Sequence, residues 1–318
     1  MADFTPQDDF IHKTGDEPTW REAFYFDFFD PASRLSAFGY SGVHPNQETG
    51  DVVFALWRED VLLGKFTRWD FNIPRDIGQE RLGFGPLFFR PVAPFQTWEM
   101  FYDDGFCRLD LAFTAIHPPY SWGQSHDALA KSNSHHYEQQ GRYRGAVRVG
   151  SETFQVQGLG ARDHAWGWGA RAGIRRWVWA SAQFSERLAF NSFQVTLADG
   201  SEHQYGYIFR GKTNDLVQRA HTRSVYAPRG QAPANLHMEI ETASGDKLAA
   251  VGRTLNAFNT SHQERNKQGY HYFCATEFSC EGQVGHGQQN VYWRKAEDRP
   301  EDWSVPRGAA PNIDDTRG

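Results

Sequence analysis

The chain has three cysteines and three methionines among 318 residues. Cys107, Cys274 and Cys280 form neither a Cys-x-x-Cys pair nor an even disulfide framework, so free thiols in a reducing compartment are the economical expectation. A basic excess is also lacking. With 33 Lys and Arg against 39 Asp and Glu the net charge is -6, and the pI is about 6.1, which provides no electrostatic footprint for nucleic acid. No run approaches the roughly 18 apolar residues that a membrane span requires. The opening Met1-Ala2-Asp3-Phe4-Thr5-Pro6-Gln7-Asp8-Asp9 is acidic where a secretory signal would be basic and then apolar. A cytoplasmic protein without a nucleic-acid partner or a membrane span is therefore expected. Helical periodicity is scarce as well, and the best helical candidate, Asp127 to Lys131, is short. No Gly-x-Gly-x-x-Gly opens a helix after a strand, which argues against a nucleotide cofactor.

Aromatic rings are what the chain has in quantity. Phe, Trp and Tyr make up 15% of it, although the hydrophobic share is only 39% and the mean hydropathy is -0.66. Rings suit a pleated, half-buried surface better than a helix. Short apolar runs bounded by Gly, Pro, Asn or Asp recur throughout, including 23–29, 52–57, 98–102, 108–113 and 177–184. Asp103-Asp104-Gly105, Ala198-Asp199-Gly200 and Ser244-Gly245-Asp246 read as hairpin turns, because Asp-Gly tolerates positive φ. The fold class implied is all-β, built as antiparallel barrels or sandwiches. A loose internal echo sets Trp20, Phe29, Leu35 and Phe38 against Trp177, Phe184, Leu188 and Phe193. It suggests two tandem domains, 1–171 and 172–298, followed by a flexible tail at 299–318 that has almost no apolar residues.

Chemistry concentrates at Gly158-Leu159-Gly160-Ala161-Arg162-Asp163-His164-Ala165-Trp166-Gly167-Trp168-Gly169. A carboxyl group, an imidazole, a guanidinium and two indoles sit there among glycines that permit sharp turns. Arg162 and His164 can hold and orient Asp163, and a carboxyl in apolar surroundings gains the raised pKa of a general acid. Indole faces at Trp166 and Trp168 can line a substrate site and stabilise positive charge. Two readings stay open. On a regular strand Asp163 and His164 point to opposite faces, so they share a pocket only where the glycines distort the strand. Alternatively, Asp163 pairs with Arg162 or Arg171 as a structural latch between domains.

Gly158-x-Gly160-x-Arg162-Asp163-His164-x-Trp166-Gly167, with Glu138-Gln139-x-Gly141 before it and Trp20-x-Glu22-x-Phe24-Tyr25-Phe26 at the start, resembles the carotenoid 1,2-hydratase and AttH-like superfamily. The resemblance covers roughly residues 18–295. It implies two lipocalin-like, calycin-like β-domains and an enzyme without metal or organic cofactor. It further implies a hydratase, isomerase or cyclase that acts on a hydrophobic unsaturated compound of isoprenoid, polyketide or steroid type. The motif aspartate, Asp163, would then be the proton donor. Trp168-Gly169 departs from the Arg that often follows the WG, and the chain lacks long insertions, so a C40 polyene is not implied. The alternatives are a lipid-binding protein of the same fold and a pericyclic cyclase that needs no acid.

Among the 13 histidines, Ser134-His135-His136-Tyr137-Glu138 invites a metal reading. Adjacent histidines on a strand face opposite ways, so no metal site is expected, and His136 or Glu138 beside Asp163 is the better assignment. Tyr272 and Trp177 are added as substrate-contact candidates in the second half. The sequence carries no signal for an oligomeric state.

Overall fold

A computed structural model describes residues 4–73, 82–121, 134–168, 174–227, 232–260, 269–295, 297 and 302–304. The helical candidate at 127–131 lies outside the described residues. Among the described residues 76% lie in strands and 3% in helix. It divides into two compact units, Met1–Ala170 and Arg171–Gly318.

The first unit holds β1 (Trp20–Asp30), β2 (Leu35–His44), β3 (Thr49–Arg58), β4 (Val61–Asn72), β5 (Leu82–Phe84), β6 (Leu87–Ala93), β7 (Thr97–Asp103), β8 (Cys107–Ala115), β9 (Tyr120–Ser121), β10 (Ser134–Val149) and β11 (Glu152–Trp168). They form one antiparallel sheet in the order β4-β3-β2-β1-β11-β10-β8-β7-β6-β5, curled into a half-barrel. The second unit holds β12 (Ile174–Ser185), β13 (Leu188–Leu197), β14 (Glu202–Phe209), β15 (Asn214–Tyr226), β16 (Pro233–Thr242), β17 (Lys247–Asn259), β18 (Gly269–Cys280), β19 (Gln283–Arg294) and β20 (Asp302–Ser304). Here β14 pairs β15, which closes β12 to β19 into an eight-stranded barrel. In both units the first strand lies between the second and the last long strand. The expected all-β, lipocalin-like class is the observed one.

Local chemistry explains the hairpins. Gly105, Gly200 and Gly245 have φ of 90°, 87° and 90° at the three Asp/Gly turns, a region that costs glycine little. Asp104 Oδ1 accepts from the amides of Phe106 at 2.9 Å and Cys107 at 2.7 Å and so fixes the β7–β8 turn. β8 alternates buried Cys107, Leu109, Leu111 and Phe113 with outward Arg108 and Asp110, whereas β1 is buried on both faces over most of its length. The half-barrel core gathers Phe26, Phe28, Phe54, Trp98, Met100 and Phe113, and the barrel core gathers Val178, Phe190, Ile208, Met238, Phe278 and Val291. All three cysteines are buried and free.

The expected tail is not wholly free. Asp302–Ser304 pairs with Arg223, Thr222 and His221 of β15, beyond the point where β14 leaves that strand's edge. An unpaired edge offers backbone donors and acceptors that a passing segment can take.

Candidate functional site

The strand register places the motif. Along β11, Asp163 lies opposite Tyr25 of β1 and Glu138 of β10, and Ala161 lies opposite Asp27 and Gln140. Ala165 lies opposite Ala23 and His136. Side chains alternate across a strand, so Asp163, Glu138, His136, Tyr25 and Asp27 share one face of the sheet. Arg162, His164 and Trp166 occupy the other.

The glycines do not break this alternation. A methyl group at Gly160 would sit 2.1 Å from the Asp27 carbonyl oxygen, so glycine is required there for β1 to approach β11 closely rather than for a turn. Arg162 and His164 therefore do not reach Asp163, contrary to the expectation that they orient it.

Their face builds a support instead. Arg162 and Asp9 form an ion pair of 2.9 Å between side chains that are both 0% exposed. Arg162 Nε donates to Gln139 Oε1 at 3.0 Å, and Nη1 donates to the Tyr137 hydroxyl at 3.1 Å. The guanidinium stacks over Trp98 at 5.0 Å and Tyr137 at 5.1 Å. Asp9 in turn accepts from Trp98 Nε1 at 2.9 Å and from the Tyr137 hydroxyl. His164 Nε2 lies 2.8 Å from Glu22 Oε1, and its Nδ1 lies 3.1 Å from the Asp8 carbonyl oxygen. His12 Nδ1 reaches the same Glu22 oxygen at 2.7 Å and its ring stacks on Trp166 at 4.1 Å. Burial opposes the charge of His12, but hydrogen bonds to Glu22 and Asp8 outweigh it and raise its pKa. Arg162, His164 and Trp166 thus fasten the segment 8–12 onto the sheet, and Trp166 packs between His12 and His135.

The Asp163 face is acidic. His136 Nε2 lies 3.3 Å from Glu138 Oε1 and 3.9 Å from Asp163 Oδ2. Burial raises the Asp163 pKa to about 7; His136 pulls it down and Glu138 pushes it up. Burial also drives His136 down to about 4. Near pH 7 this places a carboxyl that is part protonated beside a neutral imidazole, the state a general acid requires. Asp163 keeps 20% of its side chain exposed, so it is within reach of a ligand. Asp27 is also raised to about 7 by burial.

Among the described residues, two groups bring possible metal donors within 4.8 Å: His12, Glu22 and His164, and His136, Glu138 and Asp163. Hydrogen bonds from His12 and His164 to Glu22 account for the first, and neither is assigned to a metal.

The remaining candidates lie in the second unit or outside the described side chains. Tyr272 faces the barrel interior and stacks on Trp293 at 5.9 Å. Trp177 lies on the opposite side of the wall, donates to Asn290 Oδ1 at 3.0 Å and stacks on Tyr292. Trp168 is described only through its backbone pairing with Trp20. Sequence reasoning passed over Asp8, Asp9, His12 and Asp27, and used Glu22, Tyr25 and Gln139 only as part of the resemblance, without a role. The available signal was the interruption of the apolar β1 run by Glu22 and Asp27.

A model of a domain of unknown function, DUF7064, matches residues 5–295. The chain belongs to the DUF7064 family. No curated protein matches this DUF7064 chain by sequence. Among solved structures it is similar to an AttH-type protein from Nitrosomonas europaea, with a TM-score of 0.65 and 15% identity over 87% of this chain and 94% of that one. It is also similar to CghA solved with Sch210972, with a TM-score of 0.61 and 13% identity over 87% and 89%. Kievitone hydratase from Nectria haematococca gives a TM-score of 0.61 and 9% identity over 86% and 88%. The DUF7064 chain therefore shares the fold of these three solved structures.

Proposed function

We propose that the protein is a hydratase- or cyclase-type enzyme that acts on a hydrophobic unsaturated compound, with Asp163 as the proton donor. The observation that carries this reading is the placement of Asp163: a largely buried, still reachable carboxyl, flanked on its own sheet face by Glu138 and His136. One protein of similar fold is a hydratase by name.

In the proposed step the Asp163 carboxyl proton passes to one alkene carbon, and the π pair becomes the new C–H bond. The neighbouring carbon is left cationic. In a hydratase, water bonds to that carbon and returns a proton to the Asp163 carboxylate. In a cyclase, a second alkene of the same substrate supplies the electron pair for the new C–C bond, and the cation this leaves loses an adjacent proton, which returns to the Asp163 carboxylate. The neutral His136 avoids placing a fixed positive charge beside the forming cation. Arg162, His164 and Trp166 contribute by holding β11 in place.

The test begins with ligands that co-purify with the protein, extracted and identified by mass spectrometry. With the substrate known, Asp163→Asn should retain the fold by circular dichroism and lose at least about 100-fold in turnover, the usual value of a positioned acid. Near wild-type turnover in that variant would remove the acid role and leave a pericyclic or binding function.

A further inference from the structure

We propose that Arg21 binds an anionic group of the ligand, so that the compound handled on this face is an unsaturated carboxylic acid with its alkene a few bonds away from the carboxylate. The proposal rests on the reading of the Asp163 face as a ligand site and narrows its substrate class.

The pairing of β1 with β11 runs Arg21 to Gly167, Ala23 to Ala165 and Tyr25 to Asp163 without a shift in register, so Arg21 shares the face of Asp163. The strip between them is low. Gly167 has no side chain, and Ala23 and Ala165 end at a methyl group. Beside this strip His136 stands opposite Ala165 on β10, and Gly42 stands opposite Ala23 on β2. A methyl group at Gly42 would run into the Tyr40 hydroxyl, so the Tyr40 ring lies over Gly42 and walls the β2 side. Arg21, Ala165, Asp163 and His136 all keep part of their surface exposed, whereas Tyr25, Asp27 and Glu138 are buried. Four residues of strand set the rung of Arg21 about 13 Å from that of Asp163. That span accommodates the arginine side chain, a carboxylate on its guanidinium and a few carbon atoms leading to an alkene at Asp163.

The acids around Asp163 have partners. Asp27 Oδ1 accepts from the Ala161 amide at 3.2 Å, and the Tyr25 hydroxyl bonds the same carboxyl group. Glu138 pairs with His136. Arg21, by contrast, makes no hydrogen bond or ion pair with any described residue. A guanidinium fork grips a carboxylate through two parallel hydrogen bonds, which a neutral ligand oxygen does not match. Its charge also reaches the acid. Burial raises the Asp163 pKa, His136 and Arg21 pull it down, and Glu138 and Asp27 push it up. The titratable and charged groups that face Asp163 are Arg21, Tyr25 and Asp27 on β1 and His136 and Glu138 on β10. A ligand carboxylate seated on Arg21 cancels the pull of the guanidinium and leaves Asp163 more fully protonated for the transfer.

The experiment uses 2-naphthoate and 2-acetylnaphthalene, which match in shape and differ in whether the carbonyl carries an anionic oxygen or a methyl group. Their binding to the full chain is measured by ligand-observed NMR titration at pH 7.5. The wild type should prefer the carboxylate on the order of tenfold, the value of one charge-assisted contact at a partly exposed site. Arg21→Gln should lose that preference and leave the affinity for the ketone unchanged, and Arg21→Lys should keep part of it. Equal binding of the two probes by the wild type, or an unreduced preference in Arg21→Gln, overturns the anchor. An equal loss in Arg253→Gln, which removes a surface arginine of the second unit, reads as net charge alone and overturns it too. Where Arg21→Gln does not fold, a wild-type preference that stays unchanged in about 0.5 M NaCl overturns it equally, because a partly exposed ion pair is screened there. Failure of the wild type to bind either probe removes the ligand site itself and the anchor with it, whereas loss of the Asp163 acid role alone leaves the preference for the carboxylate standing.

Discussion

Replacing Asp9 by alanine should destabilise the first unit by about 3–5 kcal/mol, the cost of stripping one partner from a buried ion pair. The figure follows from what the substitution leaves behind. Asp9 takes hydrogen bonds from Trp98 Nε1, the Tyr137 hydroxyl and the Phe95 amide, and pairs with an Arg162 that is itself 0% exposed. All four donors would face a void, and the guanidinium would keep an uncompensated charge in the core. In a unit of this size that loss corresponds to a fall in Tm of roughly 6–20 °C. Urea unfolding, followed by tryptophan fluorescence, measures it. The double variant Asp9→Leu with Arg162→Met removes both charges and should recover more than half of the loss, because apolar replacements of a buried pair are often neutral. A loss below about 1 kcal/mol in Asp9→Ala, or a double variant less stable than the single one, would refute the view that this pair fastens the segment onto the sheet.

Gly160→Ala should fail to accumulate as folded protein or lose several degrees in Tm, since its methyl group would meet the Asp27 carbonyl at 2.1 Å and only backbone movement relieves that. Asp27→Asn should gain stability relative to the wild type as pH rises from about 4 to about 7. The wild-type carboxyl has a folded pKa of about 7 against 3.8 when unfolded, so its contribution is complete below 3.8 and declines as pH climbs toward 7. The relative gain is at most about 4 kcal/mol, at ~1.4 kcal/mol per decade of proton affinity, and denaturant curves at pH 4.5 and 7.5 measure it. Arg210→Ala should cost less than about 1 kcal/mol despite its bonds to Asp246 and Glu281, because all three side chains are at least 30% exposed and exposed ion pairs contribute little.

The all-β class was legible because the pattern of period two and the Asp-Gly turns are local signals, written within five to ten consecutive residues. The motif was legible as a concentration of chemistry for the same reason: five informative side chains, Arg162, Asp163, His164, Trp166 and Trp168, stand together in the chain. Its internal division was harder to read. Whether the glycines at 158 and 160 bend the strand or allow β1 to approach depends on which strand lies alongside, and β1 is more than 130 residues away in sequence. Asp9 and His12 were invisible as partners of Arg162 and Glu22 because the segment that carries them has no strand periodicity. Asp27 looked like an interruption in an apolar run, and only the register that sets it opposite Ala161 gives it a role.

The regular alternation of β11 means that the three consecutive letters Arg162, Asp163 and His164 answer to different demands. The outer two are answerable to the fold, through Asp9 and Glu22, and under the proposed function the middle one is answerable to the reaction on the other side of the sheet. A relative that abandoned the acid chemistry would be free to change the middle letter alone. Divergence within this family should then appear as an R-x-H triplet with a variable centre, and that centre would sort its members by reaction while the flanking pair sorted them only by fold.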